Sequence, residues 1–280
     1  MIKDLLGKYL QLFKIEYLNV EKKLSNDELM PKLRNIVHVL EKRNIEEKTN
    51  FIHYIRARKY YFEAKRRDLL SSEEKDWCEN VLFGKTTEIK STSKENEKTS
   101  REFSDVLKNR RSIRTWEQSN LEKQIFKELV EAAKWAPSSC NRQPWHFIIT
   151  RSKEKIELLH EVKGQKFLKD APNCILILIN KKAWSSEQSY EYFSGLDAGA
   201  AIQNLLLKAE ELGLGACWVN WNPKSISEND EKKVRESFNI PQNLEVISII
   251  PIGKTESSPP APGRKDTLKM LDFENYKKNS

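Results

Sequence analysis

The chain is short of the features that mark several common classes of protein. Its four cysteines, at positions 78, 140, 174 and 217, include no CxxC pair and have no histidines at metal-binding spacing. That argues against a zinc site and a disulfide framework and leaves free thiols. No long apolar run exists: the longest, Cys174 to Ile179, falls far below the roughly 20 residues that cross a bilayer. The start of the chain lacks the compact apolar block and small-residue cleavage site of a secretory signal. A cytoplasmic location with no membrane partner is therefore expected. The sequence also carries no internal repeat and no recognised nucleic-acid-binding motif, so no nucleic-acid partner is expected.

What is present suits a globular protein. At 280 residues, with 38% apolar and 32% charged residues, the chain can bury a real core, as one large domain with an appendage or as two modest ones. The net charge of +8 is uneven. Residues 1–70 carry 16 Lys and Arg against 10 Asp and Glu, whereas residues 71–98 carry 5 against 7.

From Met1 to about Phe83 the pattern is helical. Leu5, Leu6, Tyr9, Leu12, Phe13 and Tyr17 recur at spacings of three and four, and Leu29, Leu33, Ile36, Val37 and Leu40 repeat this after a Ser25-Asn26-Asp27 start signal. A third helix carries Phe51, Ile52, Ile55, Tyr60 and Phe62 among basic residues. Thr86 to Arg101 is poor in apolar residues and cannot offset the entropy of ordering, so it reads as a linker. The expected organisation is a helical domain over 1–85, a linker over 86–101 and a second domain over 102–280.

In that second domain helices and strands alternate. Ser119 and Glu122 have the spacing of a capping box, and Ile125, Leu129, Ala132, Ala133 and Ala136 then share a face until Pro137. His146 to Thr150, Cys174 to Ile179, Ala216 to Val219 and Val246 to Ile252 read as strands. Leu196 to Leu212 is the most apolar helix, ended by Gly213. Burial on nearly every side is expected for it, against a sheet on one face and a partner subunit on the other.

Two polar runs carry the chemistry. Arg110-Arg111-Ser112-Ile113-Arg114 places three guanidiniums within five residues. In a helical turn Arg110 and Arg114 share a face and can converge on one phosphate, with the Ser112 hydroxyl as a neutral donor. The same five residues also fit a solvated basic turn. Pro137, Ser138, Ser139 and Asn141 open a loop stiffened at both ends by Pro137 and Pro144, which suits recognition of a flat ring but also fits an ordinary helix-to-strand connection. Together the two runs suggest a nucleotide cofactor. Cys140 and Cys217 are isolated thiols of the kind that is usually a small buried hydrophobe, and His146 reads as a packed histidine.

These two runs, with Asp197-Ala198-Gly199-Ala200-Ala201-Ile202-Gln203-Asn204-Leu205, Leu212-Gly213-Leu214-Gly215-Ala216-Cys217-Trp218 and Ile250-Pro251-Ile252-Gly253-Lys254, resemble the FMN-dependent nitroreductase family in order and spacing over residues 103 to about 268. The resemblance implies an α+β fold with a central, mostly antiparallel sheet flanked by helices, beside the all-α N-terminal domain. It also implies a homodimer with FMN at the interface and no metal. It places Arg110, Arg111, Ser112 and Arg114 around the FMN phosphate and ribityl chain, with Arg264 closing on the same phosphate. Pro137, Ser138, Ser139 and Asn141 reach the flavin of the other subunit, and Trp218, Val219, Asn220 and Trp221 lie beside the isoalloxazine.

Two departures stand out. Asn220 and Trp221 occupy positions where small residues are usual, so Trp221 is expected either to narrow the space over the flavin or to swing out as a lid. Pro262 stands where some members have a phosphate-binding Lys, with Lys254 or Lys265 as substitutes.

The implied activity is an oxidoreductase in which NADH or NADPH reduces FMN and two electrons then pass, in ping-pong fashion, to a nitro, quinone or other small acceptor. No protein side chain need be catalytic, because the flavin carries the chemistry. The alternatives are a biosynthetic dehydrogenase or flavin-consuming enzyme acting on a peptide or carrier-linked substrate, and a non-enzymatic module that binds an anionic polymer through the basic helices.

Overall fold

A computed structural model describes residues 24–41, 48–83, 102–222, 225–257, 259–261, 263–264 and 266–275. The periodic residues Leu5 to Tyr17, the stretch from Thr86 to Arg101, Pro262 and Lys265 lie outside them.

Among the described residues three helices come first: α1 (Asn26–Glu41), α2 (Lys48–Arg66) and α3 (Ser72–Phe83). The start signal before α1 is tied to the helix by the Glu28 side chain. The Ser25 backbone N–H and hydroxyl both donate to the Glu28 carboxylate, at 3.0 and 2.8 Å, and these bonds hold that carboxyl below its ordinary range. Leu29, Leu33, Ile36, Val37 and Leu40 are all buried, packed with Ala57, Tyr61 and Ala64 of α2 and Cys78 and Leu82 of α3 into a core of their own. The buried stripe of α2 is thus 57, 61 and 64. The more conspicuous Tyr60 and Phe62 flank it, Phe62 half exposed, because a helix seats residues three and four apart on one face. The side chains of Phe51 and Ile52 lie outside the described residues.

Beyond this unit five helices surround a sheet: α4 (Phe103–Asn109), α5 (Lys123–Lys134), α6 (Lys153–Lys163), α7 (Glu187–Glu211) and α8 (Glu228–Phe238). The strands are β1 (Trp145–Thr150), β2 (Asn173–Asn180), β3 (Leu214–Ala216), β4 (Val219–Asn220) and β5 (Leu244–Lys254). Their order is β1-β2-β5-β3, with β4 also on β5, and every pairing is antiparallel. The fold is α+β. The expected single strand Ala216 to Val219 is two, broken at Cys217 and Trp218.

The sheet explains the apolar run at 174–179. Ile175, Ile177 and Ile179 face α5 and α7 in one core, while Cys174, Leu176 and Leu178 face α6 and α8 in the other. A strand covered on both faces has no side on which alternation could place polar residues. Burial pushes the Cys174 thiol up to about 12, as befits an inert core residue. One irregularity interrupts the β2–β5 ladder: Ile177 pairs Ser248 but Leu178 pairs Val246, so Ile247 is an extra, bulged residue.

The capping box expected before α5 does not form. The helix begins at Lys123 with Glu122 as its unassisted cap, and the Ser119 hydroxyl is buried without a partner. The chain is instead held there by Asn173, whose Oδ1 accepts from the Leu121 N–H at 3.3 Å. α7 begins well before Leu196, and only one side of it is buried. Ala198, Ala201, Ile202, Leu205, Leu206 and Ala209 pack inward, whereas Tyr192 and Leu196 are 69% and 60% exposed. None of the described helices is long and apolar enough to span a membrane.

Candidate functional site

The arginine run is not helical. α4 ends at Asn109, and Arg110 is extended, with φ −53° and ψ 127°. The chain then runs beside β3, where Ser112 forms a parallel bridge with Ala216 and the Ile113 N–H donates to the Ala216 carbonyl at 3.0 Å. Ile113 is buried, and this apolar plug fixes the segment as a strand-like strip. In an extended chain residues two apart share a side. Arg110, Ser112 and Arg114 all act on one neighbour: burial pushes the Cys217 thiol up, while Arg114, Arg110 and a hydrogen bond with Ser112 pull against that rise.

Among the described residues no carboxylate pairs with Arg110, Arg111 or Arg114. The Arg111 guanidinium donates to the Lys108 and Arg110 carbonyls at 2.6 and 3.0 Å, yet its Nε is buried with no partner. Arg114 lies 5.5 Å from the centre of the Phe167 ring. Clustered guanidiniums with an orphaned buried donor are the chemistry of an anion site, so the residues fit a phosphate-bearing group.

The polar loop is tightly held. Cys140, Asn141 and Gln143 have φ of 51°, 52° and 49°, each in a left-handed conformation that L-residues adopt at a cost and that surrounding contacts must enforce. Asp197 of α7 supplies the main anchor: its carboxylate accepts from the Ser139 N–H and hydroxyl, both at 2.9 Å. The Trp184 indole N–H donates to the same hydroxyl at 3.2 Å, and Arg142 donates to the Ser139 carbonyl at 2.9 Å. Within the loop the Ser138 hydroxyl accepts from the Gln143 N–H at 3.0 Å, and Asn141 accepts from the Gln143 side chain at 3.1 Å.

The segment after β3 alternates. Val219 and Trp221 point inward, while Trp218 and Asn220 are exposed. Trp221 is therefore neither a lid nor a residue narrowing an open face. At 3% exposure its indole packs with Val219, Val234 and Phe238, and its backbone N–H donates to the bulged Ile247 carbonyl at 2.9 Å. Trp218 lies against α7, its Cη2 3.6 Å from where a β-carbon on Gly199 would stand. α7 thus meets the polar loop at Asp197 and Trp218 at Gly199, and Cys217 beside that tryptophan meets the arginine strip. Arg264 is exposed and donates to the Gly263 carbonyl at 3.3 Å. Lys254 ends β5 in an exposed position.

The Nitroreductase family signature matches residues 107–164 and 153–254, more than half of the chain. The chain belongs to the nitroreductase family. A provisionally named NADH dehydrogenase/NAD(P)H nitroreductase of Methanothermobacter thermautotrophicus is 33% identical over 156 residues, covering 55% of this chain and 78% of that protein. Among solved structures, an FMN-dependent nitroreductase of Clostridium difficile is similar with 33% identity and a TM-score of 0.52, over 61% of this chain and 98% of the other. A provisionally named nitroreductase of Desulfovibrio desulfuricans in complex with FMN is similar with 25% identity and a TM-score of 0.52, over 64% and 100%.

In this nitroreductase-family chain the three N-terminal helices lie outside the matched region. Several of the basic residues in and just after α2 that pointed to an anionic polymer have partners within the helical unit. Glu63 pairs with Arg66 and Arg67 at 2.6 and 2.7 Å, Lys65 with Glu79 at 3.6 Å, and Arg58 sits 4.9 Å from the centre of the Phe83 ring. Among the described residues no group of three His, Cys, Asp or Glu side chains could hold a metal ion.

Asp197 and Trp184 are the site residues that sequence reasoning missed as such. The available signal was an aspartate at the head of a run of Ala, Ile and Leu, which only a polar partner could keep buried. Burial raises the Asp197 carboxyl, and the Ser139 hydrogen bonds and Arg142 offset only part of that rise. The native state therefore binds more protons here than the unfolded state, and the contribution of Asp197 to stability declines as pH rises from its unfolded value through its higher native one. Urea midpoints measured between about pH 4 and 7 should accordingly shift in favour of Asp197→Asn, relative to the parent, as pH increases. A difference between the two that does not change with pH would contradict this.

Proposed function

We propose that the protein is a cytoplasmic, homodimeric FMN-dependent NAD(P)H oxidoreductase, in which a helical unit through about residue 85 is joined by the 86–101 stretch to a flavin domain over 102–280. The observation that carries this reading is the strip of guanidiniums on the edge of β3 that have no carboxylate partner among the described residues, with the Arg111 Nε left without a partner. Arg110, Arg111, Ser112 and Arg114 would hold the phosphate and ribityl chain, with Arg264 closing over them. Pro137, Ser138, Ser139 and Asn141 would reach the flavin of the other subunit, and the backbone from Trp218 to Trp221 would lie beside the ring.

When bound, FMN supplies two-electron redox chemistry between NADH or NADPH and a small nitro, quinone or similar acceptor, taken in turn at one face. The chain's own part is to neutralise the phosphate, fix the ring and leave room beside it. The names of the relatives support the cofactor and the donor. A dimer is supported by the large apolar side chains on the outward side of this region: Tyr192 and Leu196 of α7, Phe103 and Leu107 of α4, Trp135 and Trp218 are all at least 42% exposed, as expected where a second subunit is to dock.

Purified protein should carry stoichiometric FMN that is released on denaturation, and should oxidise NADH or NADPH with a nitroaromatic or quinone present. Colourless protein that takes up no added FMN would sink the proposal. One observation favours a second reading, a flavin enzyme for a peptide or carrier-linked substrate: the helical unit sits on the polar loop, where Arg34 donates to the Arg142 carbonyl at 3.4 Å. Flavin reduction that fails with both nicotinamides and succeeds with an unusual donor would favour it.

A further inference from the structure

We infer that the N-terminal helical unit is a clamp on the cofactor loop, with Arg34 as its positioning residue, so that the unit and the cofactor stabilise each other. The inference rests on the flavin reading above and concerns a part of the chain that lies outside the family signature.

α1 packs against the turn Ser139–Asn141 and against the turn Lys181–Ala183. Arg34, mid-way along α1, joins three elements. Its guanidinium binds the Glu74 carboxylate of α3 through Nε at 2.7 Å and a terminal nitrogen at 2.6 Å, and its remaining terminal nitrogen donates to the Arg142 carbonyl at 3.4 Å. Glu74 thereby aims the guanidinium at the loop. The start of α1 is fastened separately. The Asn180 side chain donates to the Asp27 carbonyl at 2.8 Å, and the Asn243 side chain donates to the Asp27 carboxylate at 3.3 Å. Two fastenings on one helix resist both sliding and tilting.

The loop they hold needs such support. Cys140, Asn141 and Gln143 sit in the left-handed region, and Arg142 between them is the residue whose carbonyl Arg34 engages. Asp197 and Trp184 restrain the loop at Ser139 from the α7 side; Arg34 restrains it from the opposite end, at Arg142. If the shape of this loop orders Ser138, Ser139 and Asn141 for a flavin, a flavin seated on it must in turn order α1, since coupling between two sites is reciprocal.

The test uses the full chain stripped of flavin. FMN is titrated by quenching of its fluorescence, and amide hydrogen exchange is followed with and without FMN. Arg34→Ala should raise the FMN Kd by about tenfold, and Arg34→Lys, which reaches one partner but not both, should fall between. In the parent, FMN should slow exchange in residues 26–41 severalfold, a readout that holds even if Arg34→Ala misfolds. A Kd within twofold of the parent in a folded Arg34→Ala, or exchange in α1 indifferent to FMN, overturns the clamp while leaving the flavin reading intact. A parent that binds no FMN removes both.

Discussion

Replacing Arg110 and Arg114 together by alanine should lower FMN affinity by about a hundredfold or more, because each charge-assisted bond to a phosphate contributes roughly 1.5–3 kcal/mol. The apoprotein should keep its unfolding midpoint. Neither guanidinium has a carboxylate partner among the described residues, and Arg114 is exposed, so the cut removes mutual repulsion and little packing. The pairing of outcomes is the point of the experiment. Titration of FMN fluorescence and thermal unfolding of the apoprotein separate a lost ligand contact from a damaged fold, and an unchanged Kd would remove the phosphate assignment.

Gly215→Ala is the second large effect, and it acts through the backbone. A β-carbon on Gly215 would stand 2.6 Å from Ile113 Cγ2 and from Thr255 Cγ2, and 2.9 Å from Ile113 Cβ, closer than real β-carbons come. Ile113 is the plug that pins the arginine strip to β3, so relief of the clash must lift residues 110–114 away from Ala216. Overpacking of this kind costs about 1–3 kcal/mol, visible as a lower urea midpoint, and here it should also weaken FMN binding although no ligand group is touched. Loss of stability with normal affinity would show that the strip and the site are independent.

What could be read from the residues follows from how local the physics is. The spacing of Leu29, Leu33 and Val37 and the apolar block at 174–179 each record a burial pattern that a single element must satisfy, and each was legible. The arginine run was legible as a cluster of charge but not as an extended strip. Four-residue spacing suits a helix, and only Ala216, about a hundred positions away, makes the chain extended. Trp221 misled for a similar reason, since its direction is set by the phase of a short strand against β5. The α1 contact with the loop joins Arg34 to Arg142, 108 positions apart, and nothing in either neighbourhood announces it.

The place of β5 in the sheet has a consequence for synthesis. It is the one strand that binds β2, β3 and β4, and it spans Leu244–Lys254, late in the sequence. While the chain emerges from a ribosome, β1 and β2 can meet early, but β3 and β4 have no partner strand until β5 is free of the exit tunnel. The arginine strip, which rests on β3, must wait with them. The helical unit has all its described parts by residue 83 and can consolidate long before, so the newborn protein has its clamp ready before the loop and the anion site it will hold have taken shape.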